Sequence, residues 1–170
     1  FKPGGWRHAS PGGFDSHSFP PLCCRRPYVG TRMTDPADHL YLIEYQVWAR
    51  VDADGLVTQG ITALGVRLSG EVYMCRPKGV GLMVERGKSM GVVELAKSIV
   101  SVKSPLSGEV VAINPRLREE PELVHRDPYG AGWLIRLRPS ALALEQSLLV
   151  TGEAIADAMA AHARLFRIED

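Results

Sequence analysis

Short bursts of apolar residues, separated by Gly, Pro, Asp and Ser, run along most of this chain, and only its last part carries a helical period. Leu40-Tyr41-Leu42-Ile43 and Tyr45-Gln46-Val47-Trp48-Ala49-Arg50-Val51 are rich in aromatic and β-branched residues and predict strands. Asp52-Ala53-Asp54-Gly55 supplies the Asp-Gly pair favoured in hairpin turns, and Leu56 to Thr62 predicts the return strand. Ala63 to Ser69 allows one or two helical turns. Glu71 to Cys75 predicts a strand, Pro77-Lys78-Gly79-Val80-Gly81 a turn cluster, and Leu82 to Arg86 leads into Gly87. Next come Gly91 to Ser98 and Ile99 to Val111, which read as two strands with Lys97 at the turn between them. A polar loop is predicted over 116–130, and Trp133 to Leu137 is the last clear strand.

In the tail, Ile155, Ala158, Met159, His162, Leu165 and Phe166 fall at three- and four-residue spacing on one helical face. Thr151 is placed as the N-cap, with Glu153 in the first turn. Short strands with helix confined to the end predict a mainly β fold, a small sandwich or barrel with helical appendages. Gly87 lies ten residues before Lys97 and Gly108 eleven after, which suggests two similar halves meeting at the lysine turn with permissive φ at both corners.

The chain has 170 residues, 45% of them hydrophobic, enough for one domain with a real core. Its net charge of +1 argues against nucleic acid or an anionic membrane as the main partner. No run of about 18 apolar residues is present to span a membrane. Three cysteines, two of them adjacent, form neither a disulfide framework nor a zinc pattern, and a reducing compartment is the default.

Residues 1–32 carry Lys2, Arg7, Arg25, Arg26 and Arg32 against Asp15 alone, and are dense in Gly, Pro and Ser. Such a segment cannot bury enough surface to offset its ordering entropy, so 1–36 is expected to be a disordered or non-native extension and 37–170 the functional domain. Its Arg-rich, acid-poor make-up also fits an organelle transit peptide, though its Pro and Gly oppose the amphipathic helix of such peptides. Met33 is an alternative biological start.

Lys97 is the residue with the most chemistry to offer, because a modifying enzyme needs an ammonium held out on a stiff hairpin, clear of the core. A lone hairpin lysine is usually only a solvated charge, so its surroundings decide. Glu94-x-x-Lys97 is followed by Ser104-Pro105-x-Ser107-Gly108, then Glu122-Leu123-Val124 and Asp127-Pro128-Tyr129-Gly130-x-Gly132-Trp133-Leu134; Val51-x-x-Asp54-Gly55, Gly60-Ile61-Thr62 and Gly70 stand upstream. These ordered blocks, from about Gln46 to Pro139, resemble the H protein of the glycine cleavage system, a lipoyl carrier.

The resemblance implies a lipoyl/biotinyl-type β-sandwich, a barrel-sandwich hybrid, with short helices and a C-terminal helix. It implies lipoate joined to Lys97, with Glu94 helping a lipoate-attaching enzyme recognise the turn and Ala96 keeping the approach open. It implies a carrier and not an enzyme, cytoplasmic, or in the mitochondrial matrix if 1–32 is a transit peptide. Its partners would be glycine decarboxylase, aminomethyltransferase and dihydrolipoamide dehydrogenase, and its cargo an aminomethyl group and reducing equivalents. The Met-Lys-Met tip usual in biotin carriers is absent.

The chain departs from the family where H-E-W becomes Gln46-Val47-Trp48, D-Y-A-Q becomes Ala63-Leu64-Gly65-Val66 and E-S-V-K-A becomes Glu94-Leu95-Ala96-Lys97-Ser98. The stretch before Ser104 lacks the family's common aspartate, so fewer carboxylates are available to a cationic cargo. An H-like lipoate-binding protein carrying sulfur intermediates for heterodisulfide-reductase-like sulfur oxidation proteins is therefore the alternative, and an unmodified interaction module is another.

Elsewhere the plain reading is preferred. Lys103 lies within a strand, Arg136 and Arg138 are expected to be solvated, and Asp127 to Gly130 reads as a turn. His125 and His162 have no second ligand at metal spacing, and Cys75 is expected to be a buried small hydrophobe.

Overall fold

The computed structural model describes residues 34–166, so the expectations for 1–32 and Met33 lie outside the described residues. Among these residues nine strands form two antiparallel sheets. β1 (Leu40–Leu42), β2 (Val47–Val51), β3 (Val57–Ile61), β9 (Ile135–Pro139), β8 (Gly108–Ile113) and β5 (Met83–Val84) make one, in the order β1-β2-β3-β9-β8-β5. β4 (Val72–Pro77), β6 (Ser89–Leu95) and β7 (Ile99–Lys103) make the other, in the order β4-β6-β7. The sheets do not close into a barrel, which corrects the barrel half of the expectation: β7 ends its sheet without pairing to any strand of the larger one.

Inward-facing residues of both sheets share one core, with Val47, Ile61, Val93, Val102, Val110 and Leu137 all buried in it. A second cluster of Tyr41, Trp48, Leu64, Ile155 and Met159 joins the larger sheet to the helices. Those helices are α1 (Ala63–Ser69), α2 (Leu123–Arg126), α3 (Leu142–Glu145) and α4 (Ala154–Leu165). Apolar burial at this scale is the main stabilising term.

Several elements differ from expectation. Tyr45 is not in a strand: Ile43–Tyr45 is a 3-10 turn ended by Gln46 at φ 52°, and the second strand starts at Val47. Gln46 tolerates this left-handed backbone because its amide Nε2 donates to the Ile43 carbonyl at 2.9 Å and its Oε1 accepts from Thr62 Oγ1 at 2.6 Å. Thr62 in turn caps α1, accepting from Gly65 N at 2.9 Å. The polar loop contains a 3-10 turn at Pro115–Arg118 as well as α2, and α3 adds a further helix before the tail. Thr151 does not cap α4, since Glu153 stands at that position without a side-chain cap and Gly152, at φ 64°, turns the chain into the helix.

The two corner glycines serve different ends. Gly87 does adopt positive φ, at 76°, whereas no positive φ occurs at Gly108. Gly108 is needed for close approach: a Cβ there would stand 2.3 Å from the Arg138 carbonyl oxygen on β9. Arg138 is exposed as expected and pairs with Glu109 at the surface at 2.8 Å, whereas Arg136 is partly covered and reaches Asp52 at 3.1 Å and Asp54 at 2.9 Å.

Candidate functional site

β6 and β7 form the hairpin that the sequence predicts, with Glu94 opposite Ile99 and Val93 opposite Val100. The Leu95 N–H donates to the Ser98 carbonyl at 2.8 Å, which leaves Ala96 and Lys97 as the two central residues of the turn. Both keep negative φ, since Gln46 is the one non-glycine residue at positive φ among those described. A turn that needs no glycine is less free in the unfolded chain, so its tip is held more firmly. Ala96, Lys97 and Ser98 are all exposed, and no hydrogen bond or ion pair engages the Lys97 ammonium among the described residues.

Glu94 is partly buried on the outer face of the small sheet, where its carboxylate meets Arg76 of β4 at 2.9 Å. Sequence reading does not find Arg76, because a register shift between Val72 and Met74 decides which β4 residue comes beside Glu94. The pair orients Glu94 and counters its charge, three residues before the lysine.

The foot of the hairpin is built from the Ser104-Pro105-x-Ser107-Gly108 block. Ser104 is fully buried, its hydroxyl shared between Gln59 Oε1 at 2.8 Å and the Leu106 carbonyl at 2.6 Å. Ser107 gives its N–H and its hydroxyl to the two carboxylate oxygens of Glu145, each at 2.6 Å, and accepts from Arg86 N at 2.9 Å. Glu145 is another partner that sequence does not reveal, since α3 lies 38 residues away. These groups position the hairpin and stand apart from its tip.

The Asp127 block also proves to be architecture. Asp127 accepts from Gly130 N at 3.1 Å and Ala131 N at 2.6 Å, closing the turn. The Pro128 carbonyl and that of Ile61 share the buried Trp48 indole N–H, at 3.0 and 3.1 Å. Tyr129 accepts from Ala63 N at 3.1 Å and donates to Asp35, whose carboxyl burial pushes up despite that bond. Thus Asp35, grouped by sequence with the extension, is tied to the first residue of α1.

A cavity of about 330 Å³ opens beside β7. Val93, Val100 and Val102 line one side, and Glu44, Leu68, His162 and Phe166 contribute the other. Among the described residues Glu44 is the only carboxylate in this lining, and His162, on the helix face predicted for it, brings the one imidazole. Cys75 is buried as expected, its thiol pushed up to about 12 by burial. His125 accepts from Val72 N at 2.8 Å, a structural contact, and among the described residues no three His, Cys, Asp or Glu side chains gather as a metal site. Among the same residues no helix is long and apolar enough to cross a membrane.

Residues 39–162 match the family model described as glycine cleavage H-protein. A glycine cleavage system H protein 2 of Aquifex aeolicus is 41% identical over 118 residues, covering 69% of this chain and 73% of that protein. A glycine cleavage system H protein of Psychrobacter arcticus is 38% identical over 118 residues, covering 69% of this chain and 93% of that one. Among solved structures, a glycine cleavage system H protein from Mycobacterium marinum superimposes with a TM-score of 0.62 at 27% identity, covering 79% of this chain and all of its own. The chain belongs to the glycine cleavage H-protein family, whose members are non-catalytic lipoyl carriers that shuttle intermediates between glycine cleavage enzymes.

Proposed function

We propose that Lys97 is the lipoyl-attachment residue and that residues 37–170 form the carrier domain, working in the cytoplasm. The observation that carries this reading is the Lys97 ammonium: exposed at a two-residue turn, engaged by no hydrogen bond or ion pair among the described residues, and held on a hairpin whose foot is locked by Ser104 and Ser107. These residues fit the group, since amide formation needs an unencumbered amine and removes its charge without stranding a buried partner. The lipoyl/biotinyl type of sandwich suits the same reading, as two sheets present one hairpin tip clear of the core.

Once bound, lipoate supplies a strained disulfide that exchanges with thiolates and accepts electrons or small groups. The chain supplies reach and position. Tethering raises the effective concentration of the arm at each partner's active site, and the partners proposed are glycine decarboxylase, aminomethyltransferase, dihydrolipoamide dehydrogenase and a lipoate-attaching enzyme. Ala96 keeps the approach to Lys97 low, and the Arg76–Glu94 pair offers a fixed, polar landmark beside it. The cavity beside β7 suits an apolar arm along Val93, Val100 and Val102, with Glu44 at hand for a cationic cargo.

Intact-mass measurement on protein from its native cell is the direct test. A lipoyl increment in the wild type that disappears in Lys97→Ala is expected; an increment retained in the variant would move the site elsewhere. Reconstitution with glycine, the decarboxylase and the aminomethyltransferase then tests the cargo. Glycine-dependent loading supports the aminomethyl reading, and its absence from fully lipoylated protein favours the sulfur-bound alternative.

A further inference from the structure

We propose that the free edge of β7 accepts an extended segment of the enzyme that attaches the group to Lys97, adding a fourth strand to the β4-β6-β7 sheet. The proposal rests on the reading of Lys97 as the attachment site. Among the described residues β7 has β6 on one side and no strand on the other, and its Val100–Val102 part faces the groove that Glu44, His162 and Phe166 also line. Because the Leu95 N–H bonds to the Ser98 carbonyl, the alternation of an antiparallel ladder makes Val93 and Val100 a hydrogen-bonded pair and Glu94 and Ile99 a non-bonded one. The N–H and C=O groups of Ile99 and Ser101 therefore point away from β6, along the open edge.

Natural edges of this kind are blocked by charges, prolines, bulges or covering segments. From Ser98 to Val102 the strand carries neither charge nor proline, and the register shift in this hairpin falls between Ser89 and Gly91, on β6. Ile99 is 68% exposed and Val100 37%, both β-branched, so the edge offers apolar contact together with backbone partners. An edge without charge, proline or bulge, open at Ile99 and bordered by a groove from Val100 to Val102, is a template for strand addition.

Position and area select an enzyme over a second copy of the chain. The edge begins two residues after Lys97, so a strand laid along it brings the rest of its protein to the hairpin tip. Five residues of strand span only about 17 Å and bury far less than the roughly 1,000 Å² that a stable dimer needs. An enzyme that also encloses the tip adds the missing contact, and releases it afterwards. The incoming segment is extended, with β-branched or aromatic residues facing Ile99.

The full chain, purified lipoate–protein ligase, lipoate and ATP provide the test, read by intact mass and by amide hydrogen exchange. Ile99→Pro removes one outward N–H and leaves the β6 ladder in place, whereas Ile99→Thr keeps both the N–H and the branched shape. The expected result is a kcat/KM for lipoylation lowered about tenfold in Ile99→Pro, mainly through KM, the size of one lost backbone hydrogen bond, and little changed in Ile99→Thr. In the wild-type chain, which needs no variant to fold, exchange at Ile99 and Ser101 slows about tenfold or more with saturating ligase. Lipoylation of the wild type with exchange at both amides unchanged overturns the edge alone. Protection of the same amides in the chain by itself, rising with its concentration, assigns the edge to a second copy and also overturns the proposal. No lipoylation of the wild type overturns the reading of Lys97 and the edge with it.

Discussion

Gly60 lies directly beneath the indole of Trp48, its cross-strand neighbour, so that a Cβ on Gly60 would stand 2.8 Å from three ring atoms. The ring cannot retreat, because its N–H is shared between the Ile61 and Pro128 carbonyls and the residue is wholly buried. The Gly60-Ile61-Thr62 block is thereby explained as room for a tryptophan, which in turn ties β2 to the Asp127 turn.

Gly60→Ala is accordingly expected to cost about 1–3 kcal/mol of stability through overpacking. Urea unfolding followed by Trp fluorescence measures it. Since the Lys97 hairpin belongs to the other sheet, the folded variant should accept the group proposed for Lys97 as well as the wild type does, and a loss of modification without a loss of stability would contradict this division of labour.

Removing the Glu145 carboxylate should loosen the hairpin foot. Glu145→Ala leaves the Ser107 N–H and hydroxyl without their acceptor, a loss of about 1.5–3 kcal/mol for hydrogen bonds to a charged group. Faster amide exchange at Ser107, with the β6–β7 turn still closed, is the expected pattern, and unchanged exchange there would show that α3 contributes nothing to the foot.

Acid should weaken the fold through two histidines. Burial holds the His125 ring below the usual histidine value against the opposing pull of Glu122, and burial does the same to His39 against the pull of Asp38. The fold thus favours both rings neutral, so their contribution is complete above an unfolded value near about 6.5 and is lost as pH falls through the lower folded values. Protonation of His125 would in addition remove the acceptor that its Nε2 presents to Val72 N. Thermal melts between pH 7 and 5 should fall in the wild type and fall less steeply in His125→Gln, which retains an acceptor; parallel curves would exclude His125 as a source of the dependence.

Asp127→Ala should cost about 1–2 kcal/mol by freeing the Gly130 and Ala131 N–H groups, as for loss of a helix cap. Its effect should reach Trp48, whose indole N–H depends on the Pro128 carbonyl, and a shift in Trp48 side-chain N–H exchange is the readout.

What was legible in the sequence was local. The Asp54-Gly55 turn, the α1 segment from Ala63 to Ser69, and the β6–β7 hairpin with Lys97 at its tip all follow from short-range rules of turn residues and alternation, and those rules act within a few residues. The family blocks around Lys97 were equally readable, since they too are contiguous. Only the tertiary structure decided what meets across distance: Arg76 beside Glu94, Glu145 on Ser107, Gly60 under Trp48 and Asp35 on Tyr129. Registers, the register shift in β4 and the left-handed backbone at Gln46 set those encounters, and each is fixed by packing between segments that propensity treats separately. The open edge of β7 belongs to the same class, because whether a strand has a second neighbour is a property of the sheet and not of its residues.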